Sequence, residues 1–314
     1  MRKSTLFLIF FLCLQFAVSQ DKLASIDSAT VKKHLYILAS DEMEGRKSGT
    51  PGIEKAAQYI EKEFQRIGLS TYNMLPTYRQ NFVANDMNLF NIIGVLEGKS
   101  KKNEYVLITS HYDHIGMKNG GEGDLVYNGA DDNASGTTAV LALAAYFAKL
   151  DSNERSIVFI AFTGEEMGLL GSKYFGTGID PSKFIAGINI EMIGKHSSYG
   201  PKTAWLTGFD RSDFGKIIQK NLAGTEYQLF PDPYPDYKLF FRSDNASLAR
   251  LGVPSHTFST SPIFTIHYHK VTDEAETLNI SVITETIKAI ALGTLSIIKG
   301  EDTPSRIILK NKND

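Results

Sequence analysis

Cysteine is nearly absent from this chain of 314 residues, and the one present, Cys13, lies close to the N-terminus. A single thiol forms no intramolecular disulfide, and it excludes a zinc site built from several cysteines. An excess of either charge is also lacking, since 33 lysines and arginines face 35 aspartates and glutamates. Nucleic-acid binding favours a basic excess, so we expect no nucleic-acid partner.

The chain also lacks internal repeats and any linker rich in proline, glycine or serine. Hydrophobic residues make up 42% of the sequence, which excludes a collagen-like or mostly disordered protein. The length is sufficient for one large domain with a sizeable core. We therefore expect residues 20–314 to form a single domain; the oligomeric state stays open.

The first 19 residues have the three-part layout of a secretory signal peptide. Arg2 and Lys3 precede an apolar run at 6–14, and residues 17–19 supply a small-x-small cleavage site. This run is short for a membrane span, which needs about 20 apolar residues. We expect cleavage after Ser19, export to the periplasm or the medium, and no stable membrane association afterwards.

Short apolar runs rich in branched residues alternate with helical patterns along the rest of the chain. The predicted strands are 91–96, 105–109, 156–162, 186–190 and 254–258. The predicted helices are 31–38, 136–150, 165–174, 213–222, 245–251 and 278–298, with a further long amphipathic helix ending near Gly68. This alternation predicts a three-layer α/β fold.

Histidines and acids follow five of the predicted strands or strand-to-helix junctions. The segments are Ser-His-Tyr-Asp-His at 110–114, Asn-Gly-Ala-Asp-Asp-Asn-Ala-Ser-Gly at 128–136, Gly-Glu-Glu at 164–166, Asn-Ile-Glu-Met at 189–192 and Tyr-His at 268–269. Each segment alone is ordinarily a turn or a capped helix. Together, however, they would meet beyond the carboxyl ends of the strands, where ligands bind in open α/β sheets.

Carboxylates crowded at such an edge repel one another unless a cation compensates their charge. A mixture of imidazole and carboxylate suits zinc, with cobalt or manganese as substitutes. Five ligands are used economically if one carboxylate bridges two ions, each of which has one histidine and one further acid. This is the two-metal hydrolytic arrangement, in which a shared water becomes the nucleophile.

At these motifs, and at Asp41–Arg46 with its Asp-x-x-x-Gly-Arg pattern, the chain resembles the M28 family of zinc metallopeptidases. That family includes secreted aminopeptidases and glutamate carboxypeptidases, and the resemblance runs from about residue 35 to 278. It implies an α/β/α sandwich with a central mixed, mostly parallel sheet. It also implies two zinc ions per chain and peptide substrates.

The resemblance assigns a role to each motif residue. It implies the metal ligands His111, Asp132, Glu166, Glu191 and His269: His111 and Glu191 hold one zinc, Glu166 and His269 hold the other, and Asp132 bridges both. It implies a cis peptide bond after Asp132, and it makes Asp113 the acceptor for the second ring nitrogen of His111. Glu165 becomes the general base, and the hydroxyl of Tyr268 is a candidate to stabilise the oxyanion.

Two positions depart from the usual family pattern. Glu191 stands where aspartate is more frequent, and a longer carboxylate can still bind a metal at a changed spacing. Ser243-Asp244-Asn245 replaces a frequent Ser-Asp-His element. Because that element is not among the metal ligands, we expect Asn245 to affect the shape of the pocket rather than abolish activity.

The favoured function is a two-zinc aminopeptidase, and three alternatives were weighed. A glutaminyl cyclase-like acyltransferase usually has tryptophan before the last histidine, where this chain has Tyr268. A non-catalytic binding module would lack some of the ligands, all of which are present. A serine hydrolase is disfavoured because Gly-x-Ser-x-Gly does not occur. Arg242 could bind a peptide's terminal carboxylate, but a structural ion pair is the expectation.

Overall fold

A computed structural model describes residues 23–263, 265–307 and 309 of the protein. The predicted signal peptide lies outside these described residues. None of the helices in the described part combines the length and the apolar composition that crossing a bilayer requires.

The centre of the described fold is a mixed sheet of nine strands. In chain order these strands are β1 (Ser70–Thr71), β2 (Arg79–Ala84), β3 (Met87–Leu96), β4 (Lys101–His111), β7 (Arg155–Phe162), β8 (Phe184–Ile190), β9 (Thr203–Leu206), β10 (Gln228–Pro231) and β11 (Ser255–Ser259). The short strands β5 (Gly116–Met117) and β6 (Val126–Tyr127) form a separate pair.

The order across the sheet is β1-β3-β7-β4-β8-β11-β9-β10, with β2 paired to β3. The four central strands β7, β4, β8 and β11 are parallel to one another. The pairs of β3 with its neighbours and of β11 with β9 are antiparallel. Since parallel strands end at the same edge, the loops after the central four converge there.

Helices cover both faces of the sheet, as the predicted three-layer fold requires. They are α1 (Ser28–Leu38), α2 (Pro51–Ile67), α3 (Gly136–Leu150), α4 (Leu170–Thr177), α5 (Phe214–Leu222), α6 (Asn245–Ala249), α7 (Ile280–Gly293) and α8 (Leu295–Ile298). Helices α1, α2, α3 and α7 contribute to the larger apolar core, while α4 and α6 pack in a second core.

Burial explains why the predicted central strands read as continuous apolar runs. Every residue of β7 is buried, and β8 is buried except for one position. A parallel strand covered on both faces has no solvent side, so it needs no alternating polar residues. The five predicted strands are confirmed; four of them are one to six residues longer than predicted, and the fifth, 254–258, is shifted by one residue to 255–259.

Two predicted helices differ from the structure. Residues 165–169 form a turn, and α4 begins only at Leu170, because Leu169 adopts a φ of 64° that interrupts a right-handed helix. The predicted helix 278–298 is divided at Thr294 into α7 and α8. The sequence reading also missed β2, β9 and β10, which are short or lie toward the edges of the sheet.

Candidate metal centre

Four parallel strands and one helix deliver the predicted ligands to one edge of the sheet. His111 ends β4, Glu191 directly follows β8, and Glu166 lies in the turn after β7. His269 lies in the loop after β11, and Asp132 lies in a π-helical turn, Ala130–Ser135, that leads into α3. The ligands are thus far apart in sequence but share the carboxyl end of the sheet.

Asp132 lies at the centre of this cluster. Its Oδ1 atom is 3.3 Å from Nε2 of His111, and its Oδ2 atom is 3.1 Å from Nε2 of His269. Nε2 of His269 is also 3.2 Å from Oε1 of Glu166. A carboxylate with one oxygen toward each of two imidazoles has the arrangement expected of a bridging ligand.

The donor atoms fall into two sets that share Asp132. One set contains His111, Asp132 and Glu191, and the other contains Asp132, Glu166, His269 and His114. Within each set the candidate ligand atoms all lie within 4.8 Å of one another. All five predicted ligands therefore come together.

His114 is a member of the second set that the sequence reading missed. Its Nδ1 atom is 3.0 Å from Oε1 of Glu166 and 3.8 Å from Oδ2 of Asp132, and its side chain is fully buried. The signal was the second histidine of Ser-His-Tyr-Asp-His, three residues after His111. In an extended segment that spacing does not place two side chains on one face, so the pattern alone did not pair them.

The hydrogen bonding of His111 fits a cation better than a proton at its other nitrogen. Nδ1 donates to the main-chain oxygen of Asp113 at 3.1 Å, which leaves Nε2 as an acceptor in the neutral ring. Nε2 is buried without a hydrogen-bond partner, although Oδ1 of Asp132 is close. Two acceptors face each other here, and a metal ion satisfies both. Nε2 of His269 also lacks a hydrogen-bond partner, and it faces Oδ2 of Asp132 and Oε1 of Glu166.

The electrostatics lead to the same conclusion. Burial opposes charge on His111, but Glu165, Asp132 and Glu191 raise the pKa of this imidazole well above its usual value. Contacts with Asp132 and Glu166 raise the pKa of His269 to about 10. Without a metal, these imidazoles therefore tend to hold protons among the carboxylates. Metal binding would replace those protons by a stronger positive charge.

Two acids of the site also have a raised pKa, which for a carboxyl group favours the neutral form. Burial, together with the nearby carboxylates of Glu191, Asp244 and Asp132, raises the pKa of Glu165 well above its usual value. Burial and repulsion from Asp132 likewise raise the pKa of Glu191. A raised pKa brings the carboxyl group of Glu165 closer to the pH at which it can both accept and release a proton.

The structure shows which atom of Asp113 faces the second ring nitrogen of His111. The acceptor for Nδ1 is the main-chain oxygen of Asp113, while its carboxylate Oδ1 lies 3.8 Å away. That carboxylate instead accepts the main-chain N–H of Glu165 at 3.2 Å and the hydroxyl of Ser48 at 3.3 Å. Asp113 thus orients His111 through its backbone and connects the two ligand loops through its side chain.

Arg46 holds the loops around the site from behind. Its fully buried guanidinium donates to four main-chain oxygens, at 2.6 Å to Leu38 and Asn128 and at 2.9 Å to Tyr112 and Gly129. Tyr112 directly follows the ligand His111, and Gly129 precedes the turn that carries Asp132. The sequence reading placed Arg46 in a recognised motif but did not assign this role to it.

The main chain at Asp132 is fixed by two further acids. Asp273 accepts the main-chain N–H groups of Asp131 and Asp132 at about 3.1 Å. Asp131 accepts the N–H of Gly194 at 2.8 Å and pairs with Lys195 at 2.9 Å. These contacts set the direction in which the Asp132 side chain leaves the turn.

The peptide bond between Asp132 and Asn133 is cis, as the resemblance implied. The Asn133 side chain donates to the main-chain oxygen of Ile190 and accepts the N–H of Gly136, both at 2.9 Å. Because Ile190 precedes Glu191, this amide ties the Asp132 turn to the end of β8.

Gly129 allows His114 to approach the Asp132 turn. A Cβ atom at this position would lie 2.3 Å from the main-chain oxygen of Asp132 and 2.5 Å from the His114 ring. The residue also has a φ of 52°, which residues other than glycine rarely adopt. Glycine is therefore required here by both space and conformation.

A cavity of about 280 Å³ opens beside the metal centre. Its lining includes the acids Asp132, Glu165 and Glu191, and also Trp205, Tyr237 and Arg242. Tyr268 also borders the cavity and stacks on the ring of His269, with ring centroids 4.0 Å apart. Burial and nearby carboxylates raise the pKa of Tyr268, so its hydroxyl keeps its proton and can donate.

Asn245 has a structural position behind this cavity. Its amide donates to the main-chain oxygen of Phe240 at 2.9 Å, and its carbonyl accepts the hydroxyl of Thr257 at 2.9 Å. Thr257 lines the cavity. The departure from the usual histidine thus affects the wall of the pocket and none of the metal-binding sets.

Comparisons with known sequences agree with this geometry. The profile of the family described as Peptidase family M28 matches residues 91–293. The aminopeptidase YwaD of Bacillus subtilis is 33% identical over 108 residues, which cover 33% of this chain and 22% of that protein. The chain spans less than half the length of the first curated relatives it matches, at 22%, 40% and 44%.

Two groups of solved structures share the fold. The LapA aminopeptidase of Legionella pneumophila is similar with a TM-score of 0.71 at 18% identity, over 90% of this chain and 75% of that one. The glutaminyl cyclase of Porphyromonas gingivalis is similar with a TM-score of 0.66 at 15% identity, over 87% and 99% of the two chains. At these identities the similarity shows the fold, and the choice of reaction depends on the site.

Proposed function

This chain belongs to peptidase family M28, and on that basis we propose that it is a two-zinc exopeptidase, specifically an aminopeptidase. The observation that carries the proposal is the position of Asp132 between two sets of imidazole and carboxylate donors beside an open cavity. Two sets favour a two-metal peptidase over the one-zinc cyclase that was the alternative.

The ligands divide as follows in this proposal. His111 and Glu191 would hold the first zinc, and Glu166, His269 and His114 would hold the second, with Asp132 belonging to both sets. The first set offers three protein ligands, which would leave room for water or substrate, whereas the second offers four. When bound, the ions supply Lewis-acid polarisation of the scissile carbonyl and acidify the attacking water.

Glu165 is the general base in this proposal. It borders the cavity next to the ligand Glu166, and it belongs to neither of the metal-binding sets. Its carboxylate removes a proton from the attacking water and passes that proton to the leaving amine. The raised pKa of Glu165 suits both halves of this transfer, since the protonated form is stable between the two steps.

Tyr268 completes the site by donating its hydroxyl to the oxyanion that develops on the carbonyl oxygen. The stacking of its ring on His269 fixes the direction of the ring relative to the second metal position. The cavity beyond it accommodates the substrate side chains. We also propose that residues 20–314 act as one catalytic domain after export.

The test combines metal analysis with hydrolysis of aminoacyl anilides. We expect two zinc ions per chain, activity that disappears with a chelator, and recovery on addition of zinc. Glu165→Gln should lower kcat by about 10²–10⁴-fold, the range typical of general acid–base catalysis, while both zinc ions stay bound. Glu276→Gln is the matched control, because it makes the same change outside the metal centre and its cavity.

Each outcome of this experiment tests a different part of the proposal. Near-normal turnover by Glu165→Gln with full metal content would remove Glu165 from its role as base. One zinc per chain together with cyclisation of N-terminal glutamine would replace the peptidase by the cyclase. Full zinc content without hydrolysis of any anilide or dipeptide would favour a non-catalytic module.

A further inference from the structure

The cavity beside the metal centre carries a positive charge in its lining. Arg242 lines this cavity together with Trp205 and Tyr237, and its side chain is exposed. The sequence reading expected a structural ion pair for this residue. The structure contradicts that expectation, since within the described residues the guanidinium makes no ion pair and no hydrogen bond.

Other arginines of the described residues have contacts that explain their positions. Arg250 lies over the ring of Phe241 at 5.0 Å, and Arg211 lies over the same ring at 4.8 Å. Arg46 has four main-chain acceptors. Arg242 has neither an aromatic face nor an acceptor, so no contact in the described fold accounts for it.

The acids that line the cavity do not pair with Arg242. They are Asp132, Glu165 and Glu191, and in the described residues none of them forms an ion pair with its guanidinium. The nearest acid in sequence, Asp244, is completely buried and has no hydrogen-bond partner. The guanidinium of Arg242 is therefore placed to attract an anion from the substrate.

We propose that Arg242 selects peptides that carry a carboxylate within one or two residues of the scissile bond. Its planar fork can bind such a carboxylate through two parallel hydrogen bonds. The size of the cavity limits how far this carboxylate can lie from the scissile bond, since its volume of about 280 Å³ lies at the lower end of the range for small-molecule sites. The carboxylate is either the C-terminus of a dipeptide or an acidic side chain. This inference rests on the proposed peptidase function and names its substrate class.

The experiment compares three dipeptides that differ only in where they carry a carboxylate. They are Leu-Leu with a free C-terminus, Leu-Leu amide without a carboxylate, and Leu-Glu amide with an acidic side chain alone. Values of kcat and KM are measured for the zinc-loaded wild type, for Arg242→Gln, and for Arg250→Gln as the matched control. Arg250→Gln removes the same charge from a residue outside the cavity lining.

We expect Arg242→Gln to lower kcat/KM about tenfold for the preferred carboxylate substrate, mainly through KM, and to change the neutral amide less than twofold. Tenfold corresponds to a charge-assisted hydrogen bond at a partly exposed site. A lower kcat/KM for Leu-Leu alone would identify the C-terminus as the ligand of Arg242. A lower kcat/KM for Leu-Glu amide alone would identify the acidic side chain. Arg250→Gln should leave all ratios unchanged.

Equal changes for charged and neutral substrates would overturn the role of Arg242. A nearly unchanged rate for the neutral amide would show that the variant is folded and loaded. If the wild type hydrolyses none of the three, the proposed function is wrong. Calorimetric binding of the same dipeptides to zinc-loaded wild type and Arg242→Gln then still tests Arg242, because binding needs no turnover. A preference for the charged dipeptide that the variant loses would support the role.

Discussion

Replacing Arg46 with methionine should destabilise the fold and loosen the metal centre together. Methionine keeps an unbranched chain but removes all donors from the main-chain oxygens of Leu38, Tyr112, Asn128 and Gly129. Gly129 keeps a second donor, the N–H of Ala134 at 3.1 Å. Three buried carbonyl oxygens then lose a charged donor that no other main-chain group in the described residues replaces.

The size of the effect follows from two opposing contributions. Each buried carbonyl left without a donor costs about 1–3 kcal/mol, so the three together cost about 6 kcal/mol. Burial lowers the pKa of Arg46 from 12.5 to about 10, which corresponds to about 3 kcal/mol for holding this charge inside the protein. Methionine removes that second cost. We expect a net loss of about 3 kcal/mol in the free energy of unfolding.

The assay is urea denaturation of the metal-free protein, followed by calorimetric titration with zinc. Arg46→Lys is the matched variant, since it keeps the positive charge but not the planar guanidinium that donates to several oxygens at once. It should lose less stability than Arg46→Met. Zinc affinity should fall in both variants, because the segments that carry His111 and Asp132 are adjacent to the released carbonyls.

Unfolding free energies for Arg46→Met within about 1 kcal/mol of the wild type would refute the reasoning. They would mean that water replaces the guanidinium at these oxygens at little cost. Loss of stability with unchanged zinc affinity would confine Arg46 to the fold.

Two further predictions concern histidines. His114→Ala should weaken the tighter of the two zinc sites by at least tenfold in a calorimetric titration. Replacing the exposed His196 with alanine should leave both affinities unchanged. Equal affinities in wild type and His114→Ala would exclude His114 as a ligand. Burial lowers the pKa of His256 to about 4, so stability present above pH 6.5 should be lost as the pH falls toward 4, by up to about 3 kcal/mol. His256→Gln should lack this part of the pH dependence of unfolding, and an unchanged pH profile would contradict the prediction.

The segments that carry the predicted ligands were accessible from sequence because their positions follow from local rules, and the resemblance to the M28 family indicated which residue of each segment is the ligand. A strand buried on both faces is recognisable as a branched apolar run, and the residue after it lies at the sheet edge whatever the rest of the chain does. His111, Glu166 and Glu191 each stand at or just after such a strand. The reading failed nearby at residues 165–169, where a turn looked like the start of a helix.

Roles that depend on partners distant in sequence were not accessible in this way. Arg46 reaches acceptors that are 66, 82 and 83 residues away, and nothing local distinguishes it from an arginine in a loop. The state of Arg242 depends on which acids the fold brings near it, and among the described residues no acid forms an ion pair with it. His114 joins the second metal set only because its ring fits against Gly129.

The sequence by itself therefore determined the layers of the fold and the five segments that carry histidines and acids at strand ends, since periodicity and strand ends are properties of short segments; the resemblance to the M28 family singled out one ligand in each. The tertiary structure decided how these residues divide around Asp132, which atom of Asp113 orients His111, and which charges are left unpaired in the cavity. Those features depend on distances of a few ångströms between segments far apart in the chain, and such distances are fixed only when the whole core is packed.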